Sequence, residues 1–194
     1  MKRLTLVVII LLLAVPTAMA HVNRCSEGDC REGQGVYNFP NGSVYRGQFN
    51  NSFMEGLGIL IYPDGGQYAG EFSKNLFNGD GKASYPNGDS YDGNFLDGKQ
   101  SGQGTYHYGN GSEYTGEFRN GQPEGSGAMA FKDGGRYQGE FRAGLPHGRG
   151  IYHFPNGGIY EGDFVEGKKE GHGTYTFPDG VKKTGTYRDD KFVE

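Results

Sequence analysis

The chain has no tryptophan, two cysteines and only eight prolines in 194 residues. It has no stretch whose apolar residues recur at helical spacing, and no cluster of lysine and arginine. Each shortage excludes something. Without amphipathic stretches, no helical layer is available to cover a sheet. Without a basic patch the chain is a poor match for nucleic acid, whose backbone contacts need grouped Lys and Arg. The same shortage argues against docking on anionic lipid by charge alone. Two cysteines cannot complete a thiolate metal centre. An apolar content of 34% is low for a two-layer core. Long apolar runs are also missing, except for residues 4–15, which are interrupted only by Thr5.

That run defines the first segment. Lys2 and Arg3 precede it, Pro16 ends it, and Ala18-Met19-Ala20 places small residues before a cleavage point. The pattern predicts a helical secretory signal peptide over residues 1–20. The run is shorter than the roughly 20 residues that a comfortable membrane span needs, although an uncleaved anchor is the alternative. Cleavage would remove Lys2 and Arg3 and take the formal charge from −4 to −6. Residues 21–32 form a lead-in containing Cys25 and Cys30. In an exported chain two cysteines so close most simply form one disulfide, pinning the N-terminal edge. Closing so small a loop contributes only about 2 kcal/mol. The alternative is a metal or redox pair, for which this spacing is a weak match.

What is abundant is glycine, 37 residues, and aromatic side chains, 14%. They recur at a fixed period. Tyr45, Tyr68, Tyr91, Tyr114, Tyr137 and Tyr160 are 23 residues apart, and the next step lands on Lys183. Two residues after each tyrosine is a glycine, from Gly47 to Gly162. Two further on is a phenylalanine, from Phe49 to Phe164, with Tyr187 last. A glycine pair follows, as in Gly102/Gly104 and Gly125/Gly127, and then a Pro-Asn-Gly or Pro-Asp-Gly turn. A period of this size marks a repeat architecture. Alternation in Tyr-x-Gly-x-Phe and again in Gly-x-Tyr-x-Phe predicts two strands per repeat. A loop of about six residues separates them, and a tight Pro-Asn-Gly turn leads to the next repeat.

The expected fold is all-β: one single-layer, twisted antiparallel meander of 23-residue hairpins over residues 33–194. Centring the pairing on Pro40-Asn41-Gly42 sets Tyr37 opposite Tyr45 and Gly35 opposite Gly47; Gly58 then faces Gly47 and Leu60 faces Tyr45. Rings would lie over a glycine row. Six repeats give about twelve strands and an elongated monomer about 55 to 60 Å across the strands. Residues 183–194 form a polar half-repeat.

These residues resemble the MORN repeat (membrane occupation and recognition nexus). The resemblance rests on Tyr-x-Gly-x-Phe, the Gly-x-Gly pair and the Pro-Asn/Asp-Gly turn, and covers residues 33 to about 187. Departures are local. Gly109 and Lys132 replace the turn proline, Ala83 and Met129 replace an aromatic, and Lys183 replaces a tyrosine; each is expected to weaken packing at its repeat. The resemblance implies assembly or membrane association, often beside a separate catalytic domain, and none is visible here.

No constellation of reactive groups stands out. Glu71, Glu117, Glu140 and Asp163 recur at one position on the face opposite the rings and read as a solvated surface. His107 and His153 share a position two repeats apart, about 19 Å, which is too far for one metal. His147 and His172 sit in neighbouring loops, and His21 would begin the mature chain. Asn-Gly and Asp-Gly pairs follow turn geometry and not a calcium-binding repeat. The Gly-x-Gly pairs lack the helix that a phosphate loop needs. Asn41-Gly42-Ser43 and Asn110-Gly111-Ser112 match a glycosylation pattern but are turn residues. No cofactor, metal or catalytic residue is therefore expected, and the chain reads as a non-enzyme.

The expected function is that of an exported scaffold, periplasmic or secreted, that holds a protein or a cell-envelope component. The alternative is a module binding polysaccharide or lipid headgroups through its aromatic row, with peripheral membrane contact. If the ring face stays open, Tyr91, Tyr114 and Tyr137 are the contact row. If it closes on itself, binding falls to the segments 50–55, 96–101 and 165–170.

Overall fold

The structure, a computed structural model, describes residues 24–194. The expected signal peptide and its cleavage point lie outside the described residues. The chain opens with β1 (Arg24–Gly28) and β2 (Gly33–Asn38). Six hairpins follow: β3 (Val44–Asn50) with β4 (Phe53–Ile61), β5 (Gln67–Ser73) with β6 (Leu76–Ser84), and β7 (Ser90–Leu96) with β8 (Lys99–His107). Then come β9 (Glu113–Arg119) with β10 (Gln122–Ala130), β11 (Arg136–Arg142) with β12 (Leu145–His153), and β13 (Ile159–Val165) with β14 (Lys168–Thr176). Finally β15 (Lys182–Arg188) meets the short β16 (Lys191–Phe192). All sixteen strands form one antiparallel sheet in chain order. The expected register is found: Gly35 faces Gly47, Tyr37 faces Tyr45, Gly58 faces Gly47 and Leu60 faces Tyr45.

The two kinds of turn are the reverse of expectation. The six-residue loop within a repeat is a two-residue turn. In the fourth hairpin, Asn120 (φ 53°) and Gly121 (φ 83°) are both left-handed. This is the turn whose twist suits a tight hairpin. The remaining residues belong to the long second strand, where they form a bulge. Phe118 pairs with Pro123 and Gly116 with Gly127, so the long strand carries extra residues between these pairs. Gly125, at φ 72°, takes the left-handed position inside the bulge. The bulge interrupts the period-two alternation, which is why it looks like a loop in sequence. The link between repeats is wider than expected. Phe39 donates its N–H to Ser43 O (2.9 Å), and Gly42 donates to Phe39 O (3.0 Å).

The recurrent acidic row is also more than a solvated surface. Glu117 Oε1 accepts the N–H of Ser126 between the two bulge glycines (3.3 Å), and Asp163 Oδ2 accepts that of His172 (3.2 Å). Gln48 does the same for Leu57 at 3.1 Å. These side chains satisfy amides that the bulge takes out of the ladder.

The core lies on the other face. Tyr114 lies across the glycine row, and its hydroxyl donates to Glu117 O at 2.9 Å. A methyl group placed on Gly127 would be 2.6 Å from Tyr114 Cε2, so only glycine leaves room for the ring. Phe118 meets Tyr114 edge-on with centroids 5.1 Å apart, and Phe141 of the next repeat does so at 4.8 Å. The same alternation runs from Tyr45 to Tyr187. A single-layer sheet thus acquires a continuous aromatic core along its length. Burial pushes the phenols of Tyr45, Tyr91, Tyr137 and Tyr160 up to about 12.

The ends are closed differently. Cys25 and Cys30 form a disulfide (Cα–Cα 5.7 Å) across the turn after β1. At the other end Val193 donates to Thr186 O at 2.9 Å, covering part of the edge of β15. Both devices shorten exposed strand edges.

Two departures from the repeat are compensated rather than weakening. Gly109, where proline usually stands, donates its N–H to Asp89 Oδ1 (2.7 Å), and Lys132 donates to Ser112 Oγ (3.1 Å). Ser43 occupies the position of Asp89 and Ser112, but the corresponding donor position is Pro63, which has no N–H. Ser43 Oγ is accordingly buried without a partner.

Tyr114→Ala should cost about 3 to 5 kcal/mol, as truncation of a packed ring does. Tyr114→Phe and Glu117→Ala each remove one hydrogen bond and should cost about 1 kcal/mol. Urea melts of the three variants give the order, and equal losses for Tyr114→Ala and Glu117→Ala would reverse the faces. The buried phenols fix a pH response as well. They keep their protons in the folded state while unfolded tyrosine ionises near pH 10, so stability is intact below about pH 10 and falls as pH rises towards 12. Tyrosinate absorbance should appear together with loss of the β circular dichroism signal. Ionisation of the whole set near pH 10 with the fold retained would contradict this.

Candidate functional site

Tyr91, Tyr114 and Tyr137 do not form an open contact row. Their exposures are 1%, 0% and 1%. Each is covered by the phenylalanines on either side and is bonded through its hydroxyl to its own strand. The correction has a geometric cause. A ring that lies flat on a glycine row presents one face to backbone and its edges to neighbouring rings, which leaves nothing for a partner. The segments 50–55, 96–101 and 165–170 are not six-residue loops: each is a two-residue turn running into a bulged strand.

What remains accessible on the ring face lies on either side of the buried row. On one side each long strand ends in an aromatic just before the Pro-Asn-Gly link: Tyr62, Tyr85, Tyr108 and Phe131 are examples. On the other side the second residue after each tight turn varies, from Met54 through Phe77 and Gln100 to Lys169, with Arg31 at the corresponding place in the first unit. The two sides approach each other across the row. Gln100 Nε2 donates to Tyr85 Oη at 3.1 Å, and the Lys169 ammonium is 5.4 Å from the Phe154 ring centre. Strands that bend at their bulges give this shape. The result is a trough with the Tyr/Phe row as its floor.

The trough is widest in the middle, in a hollow of about 720 Å³. Tyr62, Phe77, Tyr85, Lys99, Gln100 and Tyr106 line it. Ala83 is the cause. It occupies the position that holds Tyr37, Tyr106, Tyr152 and Tyr175 in other repeats, and its missing ring is the space. Smaller hollows lie at the disulfide end, about 540 Å³, and beside Lys169, about 300 Å³.

The polar groups around the central hollow divide into spent and available ones. Asp89 accepts from Tyr106 Oη (2.6 Å), Gly109 N (2.7 Å) and Asn87 Nδ2 (2.9 Å). The Tyr106 hydrogen bond, more than any other cause, holds its carboxyl below the usual range. Burial, and then Asp89, raises the Tyr106 phenol. Asp64 accepts the N–H of Gly66 in its own turn at 3.0 Å. Tyr85 accepts from Gln100, so its own proton remains free to be donated. Burial raises the phenols of Tyr62, Tyr85 and Tyr108, which therefore stay protonated donors at neutral pH.

The wall aromatics were visible in the sequence as the ring before each Pro-Asn-Gly. They share the face of Tyr37 and Tyr106 by period two, and their position past the strand end is what leaves them accessible. The opposite face is mixed and polar, with Lys82 paired to Asp92 (2.6 Å) and Thr105 to Thr115 (3.1 Å). Its most exposed large apolar side chains include Leu57 and Ile59 in the N-terminal repeats. Among the described residues, no three His, Cys, Asp or Glu side chains are placed to hold a metal. No helix among them is long and apolar enough to cross a membrane.

Comparison with solved structures finds the same kind of sheet elsewhere. The SAS-4 (dCPAP) TCP domain of Drosophila melanogaster, solved in complex with a proline rich motif of Ana2 (dSTIL), superposes with a TM-score of 0.52. Sequence identity is 14%, over 90% of this chain and 97% of that one. The wild-type TCP10 domain of Danio rerio CPAP matches with a TM-score of 0.30 at 15% identity, over 79% of this chain and 84% of that one. No curated protein matches the chain. The MORN repeat profile matches residues 31–44, 45–67, 68–90, 91–113, 114–136, 137–159 and 160–182. With those seven consecutive matches taking up nearly all of the described sheet, the chain belongs to the MORN repeat family.

Proposed function

We propose that this protein is an exported, non-catalytic scaffold that holds a protein partner along its aromatic trough. The observation that carries the reading is the division of the ring face. The repeated tyrosines and phenylalanines are consumed by the fold, while a second set of rings stands half-exposed beside them along the sheet. Contiguous aromatic surface of this kind is seldom left without a partner. An extended repeat surface suits a partner that makes contact over several repeats. The likeness of the sheet to a domain solved with a proline rich motif of another protein supports a polypeptide as the partner. Export rests on the sequence of residues 1–20, and the Cys25–Cys30 disulfide fits an oxidising compartment. The absence of catalysis rests on the repetition itself: the same groups recur in each repeat, and the one carboxylate beside the hollow with a distinctive setting, Asp89, is committed to three hydrogen bonds.

Two measurements test the reading. Mass spectrometry of the native protein should find a mature N-terminus at His21 in the extracytoplasmic fraction; an intact N-terminus in the cytosol would contradict export. A photo-crosslinking residue at Tyr85 or Phe131 should capture a polypeptide in the native host, whereas one at Thr105 or Thr184 on the opposite face should not. Capture only from the Leu57 and Ile59 patch would move the interface to the other face. Selective retention on purified glycans or liposomes, with no crosslinked protein, would favour the ligand-binding alternative.

A further inference from the structure

The trough has a period, and that period restricts what fits it. Successive repeats are two strands apart, about 9.6 Å at normal strand spacing. A polyproline-II helix has three residues per turn and rises about 3.1 Å per residue, so it turns once every 9.3 Å or so. A segment of that conformation running across the strands would present the same side to each successive repeat. A β-strand, with a two-residue repeat of about 6.6 Å, would fall out of step with the walls after one repeat. The match comes from the backbone spacing of the sheet and holds along the whole trough.

The side chains of the central hollow agree with that occupant. A polyproline-II segment makes no internal hydrogen bonds, so its carbonyls need donors from outside. The hollow supplies such donors: the Tyr85 hydroxyl, the second N–H of Gln100 and the Lys99 ammonium. Asp89 beside it is already taken by three protein donors. The walls are aromatic, as in other grooves that receive proline rings. Charge is balanced along the trough: Arg31, Lys99 and Lys169 stand at the three hollows against Asp64, Asp190 and, beside the central hollow, Asp89. An occupant without strong net charge therefore fits.

We propose that the trough takes a proline-containing polyproline-II segment of its protein partner. The segment lies across the strands with one three-residue turn per repeat, and a prolyl ring fills the hollow left by Ala83. The proposal rests on the scaffold reading given above and makes it more specific. The central hollow extends from Tyr62, after β4, to Tyr108, after β8. Four strand spacings are about 19 Å, the length of about six residues in this conformation.

The test uses the chain from residue 21 onward and two synthetic peptides of about nine residues. Both have the same composition. One has proline at every third position, and the other has its prolines moved to every fourth. Calorimetry should show at least about tenfold tighter binding of the first peptide, a difference of about 1.4 kcal/mol. Ala83→Tyr restores the aromatic that other repeats carry and should weaken that binding at least about tenfold while leaving the melting temperature undiminished. Tyr85→Ala, at a wall residue 37% exposed, gives a second loss without relying on the filled hollow. Equal binding of the two peptides, or unchanged affinity in both Ala83→Tyr and Tyr85→Ala, would overturn the proposal. So would binding of a soluble oligosaccharide that Ala83→Tyr abolishes while neither peptide binds. If neither peptide binds but a crosslinker at Tyr85 still captures a polypeptide, the scaffold reading survives and the proline proposal falls. If neither occurs, both fall.

Discussion

Everything in this protein depends on a tyrosine ring lying flat on a row of glycines. A single-layer sheet has no second layer to bury its apolar face, and its hairpins are too small to be stable one at a time. Here the cover comes from within the strand. Tyr114 folds over Gly116 and Gly127 and bonds to the carbonyl of Glu117, and phenylalanines from two repeats close its edges. The glycines weaken the strand locally but allow the close approach that makes the burial possible. Because each ring is covered partly by the next repeat, stability is shared between neighbours, as in other linear arrays.

That arrangement also decides where function can reside. A position used to build the floor in every repeat is not available to a partner. Positions free to differ are those beside the floor, and they do differ. At that wall position successive repeats carry Arg31, Met54, Phe77, Gln100, Pro123, Pro146 and Lys169. Ala83 in the row above lacks a ring and lines a hollow of about 720 Å³ on the ring face. In the proposed function the irregularities of this array carry its specificity, and the regular part carries its stability.

The fold was legible in the sequence because the period, the two alternations and the Pro-Asn-Gly turn all act locally. Pairing on one turn fixed the register of Tyr37 with Tyr45, and the structure agrees across the sheet. The bulge was not legible. Residues such as Pro123 and Glu124 break the alternation and look like loop, because a bulge shifts side chains to the other face without ending the strand. The carboxylate row faces solvent, as the alternation indicates, but for the same reason its second role was hidden: Glu117 and Asp163 also accept the bulge amides. The site was half legible. The alternation placed the aromatic residues on one face, but Tyr91, Tyr114 and Tyr137, read as its accessible rings, are the buried ones. Nothing in the alternation distinguishes a ring that lies down on glycine from one that stands at the strand end. The glycine two residues after each tyrosine was the available signal, since a ring can lie down only where its neighbour has no side chain.

The central claim is that the repeated tyrosines form the floor and the rings before the turns form the accessible wall. Hydroxyl-radical footprinting of the folded mature chain, read by mass spectrometry at each tyrosine, measures this division directly. The account predicts strong labelling of Tyr85, 37% exposed, and negligible labelling of Tyr91, Tyr114 and Tyr137 until the chain is unfolded. Labelling of those three in the folded protein at the rate of Tyr85 would show that the ring face is open and that the floor described here does not exist.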